Sequence, residues 1–277
     1  MAAELGDAAA LVAEAGWNQV VADWRIFLDL GTVYAVRNSA GRVIATAATL
    51  AYGGEFAWIS MVLVAGAYRR QGLARRLMDR CIRDLTAAGV VPVLDATPAG
   101  RSVYLALGFD DAWGYQRFTG TGAGEATLPP APAGVEIQPI NDAVFGDLCR
   151  YDAAVFGADR SEVLARLRGR VPGVDLVALR QGRVCGLLLG RDGRTSRQIG
   201  PLVAEDAVTA QALLARGLAA IDGPVYIDLA DAKTSVRAWL TEHGFRAQRP
   251  LTRMLYRRAA SFEDAARTFA VAGPELG

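Results

Sequence analysis

One property of this sequence constrains its fold more than any other: the same order of predicted elements occurs twice along its 277 residues. Two β-rich runs surround a turn at residues 39–41 in the first half, and two more surround a turn at residues 181–182 in the second. In both halves a hydrophobic strand, a long helical segment, a second strand and a shorter helix then follow. Four successive correspondences in one order indicate a duplicated domain rather than one large fold.

The repeat also aligns individual residues. Asp95 of the first copy corresponds to Asp228 of the second, and Phe109 corresponds to Phe245. The second copy carries a three-residue insertion between these two positions. The aligned aspartates each end a predicted strand, so two copies that faced each other could place both carboxylates in one cleft for a cation.

The segment between the copies, GTGAGEATLPPAPAG, concentrates glycine, proline and alanine, which is typical of a linker between independently packed units. We therefore predict an α/β (mixed α+β) protein with a catalytic first domain and a second domain of the same fold. Residues beyond the second domain would form a tail, with a short helix on the surface or on a partner. The predicted ranges are 1–120, a linker at 121–134, 135–258, and a tail at 259–277.

Charge and composition exclude several classes of function. The 30 basic and 29 acidic residues give a net charge of +1, which supplies no field that would attract nucleic acid or an anionic membrane. Three cysteines lie far apart and His243 is the only histidine, so we expect neither a disulfide framework nor a metal site. The longest apolar stretch, around residues 57–68, is too short to span a bilayer. We expect a soluble, cytoplasmic protein without a nucleic-acid or membrane partner.

A loop between a predicted strand and a predicted helix reads Arg69-Arg70-Gln71-Gly72-Leu73-Ala74. Amides in the first turn of a helix lack partners within the helix, and the helix dipole adds partial positive charge, so such a loop can bind an anion. Gly72 and Ala74 leave room for a pyrophosphate to approach the backbone. The loop is neither a Walker loop nor a GxGxxG fingerprint.

In this context the loop resembles the acetyl-CoA motif of the GNAT acetyltransferase superfamily, Q/R-x-x-G-x-G/A, which joins the fourth strand to the third helix. Arg69, Gly72 and Ala74 stand at its defined positions, while Gly66 replaces the proline of the common lead-in. The resemblance implies two tandem GNAT folds. Each would be a mixed, mostly antiparallel sheet with flanking helices and a splay between its fourth and fifth strands.

The resemblance also implies acetyl-CoA as the acyl donor, with no metal. In the family the fourth strand binds the pantetheine arm, and the loop amides bind the pyrophosphate. The second copy has Glu205 and Asp206 but no glycine in its corresponding loop, so we predict one CoA site per chain. Ser102 could contact CoA or cap a helix that begins near Gly100. The predicted cofactor residues are Val62, Leu63, Val64, Arg69, Arg70, Gln71, Gly72, Leu73, Ala74, Arg75 and Ser102.

The implied reaction is direct attack of an amine on the thioester in a ternary complex. A strand amide, that of Val62 or Leu63, would hold the developing oxyanion. Tyr104 stands where many family members use a tyrosine acid, and we predict that it protonates the leaving thiolate. Water is one candidate for the general base, and Asp95 could position an ammonium group or relay its proton.

Four residues are candidates for contact with the acceptor. Trp17 and Trp24 lie where the family places acceptor-facing helices, although both could simply pack a helix pair. Glu55 precedes the strand before the loop, and Asp228 is the counterpart of Asp95. We predict an N-acetyltransferase for a primary amine of a small molecule. A non-catalytic acyl-CoA sensor and a peptide- or protein-directed acyltransferase remain alternatives, and the sequence leaves the oligomeric state open.

Overall fold

The computed structural model describes residues 2–122 and 131–277. The first copy is built of four helices and five strands, and a single 3-10 turn at Gly66–Tyr68 leads into the predicted anion loop. In chain order these elements are α1 (Ala2–Glu14), α2 (Val21–Leu30), β1 (Thr32–Arg37), β2 (Val43–Tyr52), β3 (Phe56–Val64), α3 (Leu73–Ala87), β4 (Val91–Ala96), α4 (Pro98–Ala106) and β5 (Phe109–Thr121).

The second copy repeats this order and adds a strand at each end. Its elements are β6 (Val135–Pro139), α5 (Asp142–Phe156), α6 (Ser161–Leu167), β7 (Leu176–Arg180), β8 (Arg183–Arg191), β9 (Arg197–Ala204), α7 (Ala207–Ala219), β10 (Pro224–Ala230), α8 (Thr234–Glu242), β11 (Arg246–Tyr256) and β12 (Thr268–Ala270). Every element that the repeat predicted is present, so the predicted α/β fold class and the duplication are confirmed.

The twelve strands within the described residues form one mixed sheet in the order β1-β2-β3-β4-β11-β5-β10-β12-β9-β8-β7-β6. The parallel strands β3 and β4 pair only from Phe56 to Trp58 and then separate. In the second copy, β9 and β10 pair from Arg197 to Ile199 and separate in the same way. The predicted splay is therefore present in both copies.

The two copies exchange their longest strands at the centre of this sheet. Strand β11 of the second copy lies between β4 and β5 of the first, and β5 lies between β11 and β10. The two strands pair antiparallel, from Arg246 with Thr119 to Tyr256 with Phe109. Each copy thus completes its sheet with a strand of the other copy.

The hydrophobic cores are shared as well. Trp24 and Trp58 of the first copy belong to the same buried cluster as Leu148, Phe156 and Leu164 of the second. The expectation of independently packed units is therefore wrong, because neither copy would keep a complete sheet or core alone. The first two residues of the predicted linker, 121 and 122, are described, and β5 extends to Thr121. Residues 123–130 of the linker lie outside the described residues.

The predicted tail is part of the sheet. After β11 the chain returns to place β12 between β9 and β10, where Ala270 faces Leu229 on one side and Leu202 on the other. The backbone amide of Val271 donates to the carbonyl of Asp228 at 3.1 Å. The expected surface helix is wrong, because Phe269, Val271 and neighbouring apolar residues are buried between strands. Across residues 2–122 and 131–277, no helix is both long and apolar enough to cross a membrane.

Candidate active site

A cavity of about 480 Å³ lies where the exchanged strands meet the splay of the first copy. Its walls come from the α1–α2 connection, β3, β4, α4 and β5 of the first copy, together with β10, β11 and residues 274–275 of the second. We call it the central cavity. Because both copies supply its walls, its composition depends on the duplication.

A second space of about 610 Å³, the loop groove, lies against β3 and the N-terminus of α3. It is lined by the predicted CoA residues Val62–Val64, Arg69, Arg70 and 72–75. Trp17 and Val62 line both the loop groove and the central cavity. The two spaces therefore adjoin at these residues.

The backbone of the loop is shaped to receive an anion. Arg70 and Gly72 have positive φ angles of 59° and 76°, and left-handed residues in a loop are a means of forming a concave array of backbone amides. Gly72 is the N-cap of α3 and no side chain caps this helix end. The first helical hydrogen bond there is donated by Arg76 to the carbonyl of Gly72. A Cβ built on Gly72 would meet nothing within 4 Å, so the approach to these amides is open. The donor set fits a phosphate.

A bulge in β3 lies next to the point where groove and cavity meet. Thr46 pairs with Leu63 and Ala48 pairs with Ser60, which leaves Met61 and Val62 without register partners on β2. Met61 has a φ of 53°, and the Thr46 hydroxyl donates to its carbonyl at 2.8 Å. The bulge takes the backbone of Val62 out of the ladder with β2, beside the cavity.

The corresponding helix end in the second copy carries its own anion. Asp206 is the N-cap of α7, and its Oδ1 accepts a hydrogen bond from the Thr209 amide at 2.7 Å. Arg180 donates to the other oxygen of Asp206 at 3.0 Å and also pairs with Glu205. In addition, β12 fills the splay between β9 and β10. In this copy Asp206 therefore occupies the position that a pyrophosphate would take, and β12 occupies the position of a pantetheine arm.

Tyr104 lines the central cavity from α4, as do Ile59–Val62 from β3. Burial raises the pKa of its hydroxyl, so the proton stays on the oxygen near neutral pH. A Cβ on Gly100, one turn earlier, would lie 3.0 Å from Cε2 of Tyr104, so the glycine allows the ring to lie close to its helix. Thr97 caps α4 by accepting from the Gly100 amide.

Asp95 also lines the central cavity, but its carboxylate is not free. Its two oxygens accept hydrogen bonds from Nε and Nη2 of Arg253 on the adjacent strand β11, both at 2.9 Å. Glu263 binds the same guanidinium, which lies between the rings of Trp58 and Trp113. Burial opposes the charge on Arg253, yet Asp95 and Glu263 more than offset it and raise its pKa. Asp95 thus has a structural ion partner, and the prediction of a free catalytic carboxylate here needs correction.

Asp228 repeats this arrangement in the second copy. Its carboxylate accepts from Nε and Nη2 of Arg117 at 2.8 and 2.7 Å, and from the Gln198 amide at 3.1 Å. The Asp228 side chain is fully buried, and Arg117 rather than Asp228 lines the cavity. The predicted cleft with two open carboxylates is therefore wrong, because each aspartate is neutralised by an arginine from the other copy.

The remaining predicted residues divide into two groups. Trp17 reaches the cavity, whereas Trp24 is 1% exposed within the core and reaches neither space. Glu55 is exposed at the start of β3, the end opposite the bulge. Ser102 is exposed on α4 and lines neither space, and Gln71 lies in the loop without lining the groove. Trp24 and Glu55 are therefore removed from the candidate acceptor residues.

Sequence reasoning missed most of the polar residues that line the central cavity, among them Gln19, Ser60, Arg117, Arg249 and Glu275. The repeat could have pointed to Arg117, because this arginine follows Phe109 by eight residues, just as Arg253 follows Phe245 at the corresponding position of the second copy. Ser60 is a single polar residue in an otherwise apolar strand. Arg249 and Glu275 gave no signal, since their position depends on the strand exchange and on the path after β11.

Comparison with known protein families also identifies two copies of one domain in this chain. Two family models match this chain, the acetyltransferase (GNAT) family over residues 10–109 and an acetyltransferase (GNAT) domain over residues 148–270. The chain is 25% identical over 255 residues to an uncharacterized N-acetyltransferase, YitH, of Bacillus subtilis strain 168, covering 92% of this chain and 89% of that protein.

Solved structures share the fold. A proposed acetyltransferase of Pyrococcus horikoshii superposes with a TM-score of 0.78 at 17% identity, covering 99% of this chain and 92% of that one. A tandem GNAT protein from the clavulanic acid biosynthesis pathway superposes with a TM-score of 0.63 at 16% identity, covering 91% and 94%. Within the described ranges, no cluster of histidine, cysteine, aspartate and glutamate side chains could hold a metal ion.

Proposed function

Because this chain belongs to the GNAT acetyltransferase superfamily and carries two copies of its fold, we propose that it transfers an acetyl group from acetyl-CoA to a primary amine of a small molecule. The observation that carries this proposal is that the loop groove and the central cavity adjoin, with Trp17 and Val62 lining both. A donor held along the groove would end beside a cavity of a size usual for small ligands.

The first copy would hold the donor. The loop amides near Gly72, with Arg69, Arg70 and Arg75 around them, would bind the pyrophosphate, and the exposed edge of β3 would bind the pantetheine arm. When bound, acetyl-CoA supplies the acetyl group as a thioester. The second copy would hold no donor, because Asp206 occupies its helix end and β12 its splay.

The residues around the bulge would then perform the transfer. The acceptor ammonium first loses a proton to water, and its nitrogen then bonds to the acyl carbon. The carbon–sulfur bond breaks, the sulfur takes a proton from Tyr104, the nitrogen loses its second proton to water, and water returns a proton to the tyrosine. The amide of Val62 or Leu63 would donate to the acyl oxygen as charge develops on it. The Tyr104 hydroxyl would give its proton to the sulfur, since burial keeps it protonated.

The first test is thiol release from acetyl-CoA across a panel of polyamines, amino acids, aminoglycosides and peptides. Release with one class of small amine would support the proposal and identify its substrate class. Reaction with peptides alone would favour a protein-directed enzyme. Binding of acetyl-CoA without release for any amine would contradict transfer and favour an acyl-CoA sensor.

A glycine pair tests the donor site. Gly72→Val should weaken CoA binding at least about tenfold, because a branched side chain fills the open approach to the amides and strains a φ of +76°. Gly89→Val is the matched control, since Gly89 has a φ of +73° and open space at the other end of α3. Calorimetric titration with CoA should separate the two variants. Equal affinities in both variants would contradict the loop as the pyrophosphate site.

A further inference from the structure

The central cavity contains buried polar atoms that no protein group satisfies. Within the described part of the chain, Gln19 Oε1, Ser60 Oγ, Arg249 Nε and Glu275 Oε2 have no hydrogen-bond partner. All four side chains line this one cavity. Gln19, Ser60 and Glu275 are 9%, 8% and 3% exposed. Buried polar groups are normally paired, so four unpaired atoms around one space indicate a polar ligand.

Arg249 is the cation of this set without a counter-ion. It lies on β11 directly opposite Arg117 on β5. Arg117 is held by Asp228, whereas Arg249 makes no ion pair with any residue that the structure describes. Burial, followed by the charge of Arg117, lowers the pKa of Arg249. A half-buried guanidinium beside a second one is stabilised by an anion, and a carboxylate matches its geometry.

Glu275 provides the opposite charge. One of its oxygens binds Arg191, while Oε2 is unpaired. Gln19 Oε1 can only accept a hydrogen bond, and the Ser60 hydroxyl can accept one as well. Three acceptors, one of them charged, suit an ammonium group, which offers three donors.

We propose that the acceptor is a zwitterion: an amine held by Glu275, Ser60 and Gln19 that also carries a carboxylate bound by Arg249. This inference rests on the proposed function and narrows its substrate class. The second copy thereby supplies both charged contacts to the acceptor, because Arg249 and Glu275 follow β10 in the chain. The first copy contributes the donor site, Tyr104, and the Ser60 and Gln19 oxygens of the amine site. The strand exchange and the path of residues 268–277 bring the two sets together.

The test compares each amino acid in a panel with its own amide, which keeps the amine and removes the carboxylate charge. With the native enzyme, kcat/KM should be at least about thirtyfold higher for the preferred amino acid than for its amide. Arg249→Gln should raise KM for the amino acid about 10- to 100-fold, leave kcat nearly unchanged and leave the amide unaffected. Arg246→Gln, an exposed arginine on the same strand, is the control.

Glu275→Gln provides a second, contrasting result, because glutamine keeps a hydrogen bond to Arg191 but loses the charge. It should raise KM for the amino acid and its amide alike. Equal use of amino acid and amide by the native enzyme, or no change of their ratio in Arg249→Gln, would overturn the inference while leaving acetyl transfer intact.

A measurement of amino-acid binding tests this inference independently of the proposed function. Calorimetric titration of the amino acids into the CoA-saturated protein needs no turnover. Binding that Arg249→Gln weakens, without thiol release, would support the zwitterion site and contradict the transferase. Thiol release from amines lacking a carboxylate, without amino-acid binding, would support the transferase and contradict the zwitterion site.

Discussion

Replacing Tyr104 with phenylalanine should lower kcat for thiol release about a hundredfold and leave the dissociation constant of CoA unchanged. The substitution removes only the hydroxyl group, and general-acid catalysis typically contributes about 10²–10⁴ in rate. The ring would still pack edge-on against Phe109, with centroids 6.1 Å apart, so the fold should be preserved. Steady-state kinetics with the best amine of the panel, with CoA calorimetry beside them, measure both quantities.

Tyr34→Phe is the matched control for this prediction. The Tyr34 hydroxyl donates to Asp84 on α3 at 2.9 Å, and the residue lines neither the central cavity nor the loop groove. Its loss should leave kcat unchanged. If Tyr104→Phe raised KM at constant kcat, or changed nothing, Tyr104 would be a packing residue and the proton donor would have to be sought elsewhere.

The sequence was sufficient for the parts of the molecule that follow local patterns. Strand and helix periodicity predicted the repeated elements. The loop from Arg69 to Ala74 could be proposed as a donor site because the pattern it needs is local: a strand, small residues and a helix start. The prediction that the acidic loop of the second copy does not bind CoA likewise depends on a local pattern. Asp206 does more than repel an anion, however, since its side chain caps the helix where that anion would bind.

Contacts between the copies were not predictable in the same way. The repeat aligned Asp95 with Asp228 correctly, but a repeat does not show which copy supplies the strand beside each aspartate. The exchange of β5 and β11 supplies an arginine to each, so two residues that looked like open carboxylates are closed ion pairs. Glu275 lies in a segment without periodicity, and only the three-dimensional path brings it to the cavity.

These paired charges lead to the largest expected effect on stability. Arg253→Met should lower the free energy of unfolding by about 3–5 kcal/mol, because it leaves a buried carboxylate without its cation. The side chains of Arg253, Asp95 and Glu263 are 1%, 0% and 5% exposed, so water cannot replace the guanidinium. Urea unfolding followed by circular dichroism measures the loss. Arg267→Met is the control: its pair with Asp264 is about one-third exposed, and its loss should cost less than about 1 kcal/mol.

The loss of stability in Arg253→Met should depend on pH. Burial raises the pKa of Asp95, with Arg253 opposing, so removing Arg253 leaves burial to raise that pKa further. A carboxyl whose pKa is higher in the folded state than in the unfolded state contributes stability below its unfolded pKa and loses it as the pH rises through its folded pKa. The deficit of Arg253→Met should therefore be smallest in acid and grow toward neutral pH. An equal deficit at all pH values, or one no larger than that of Arg267→Met, would show that the exchanged strands are held by packing rather than by this ion pair.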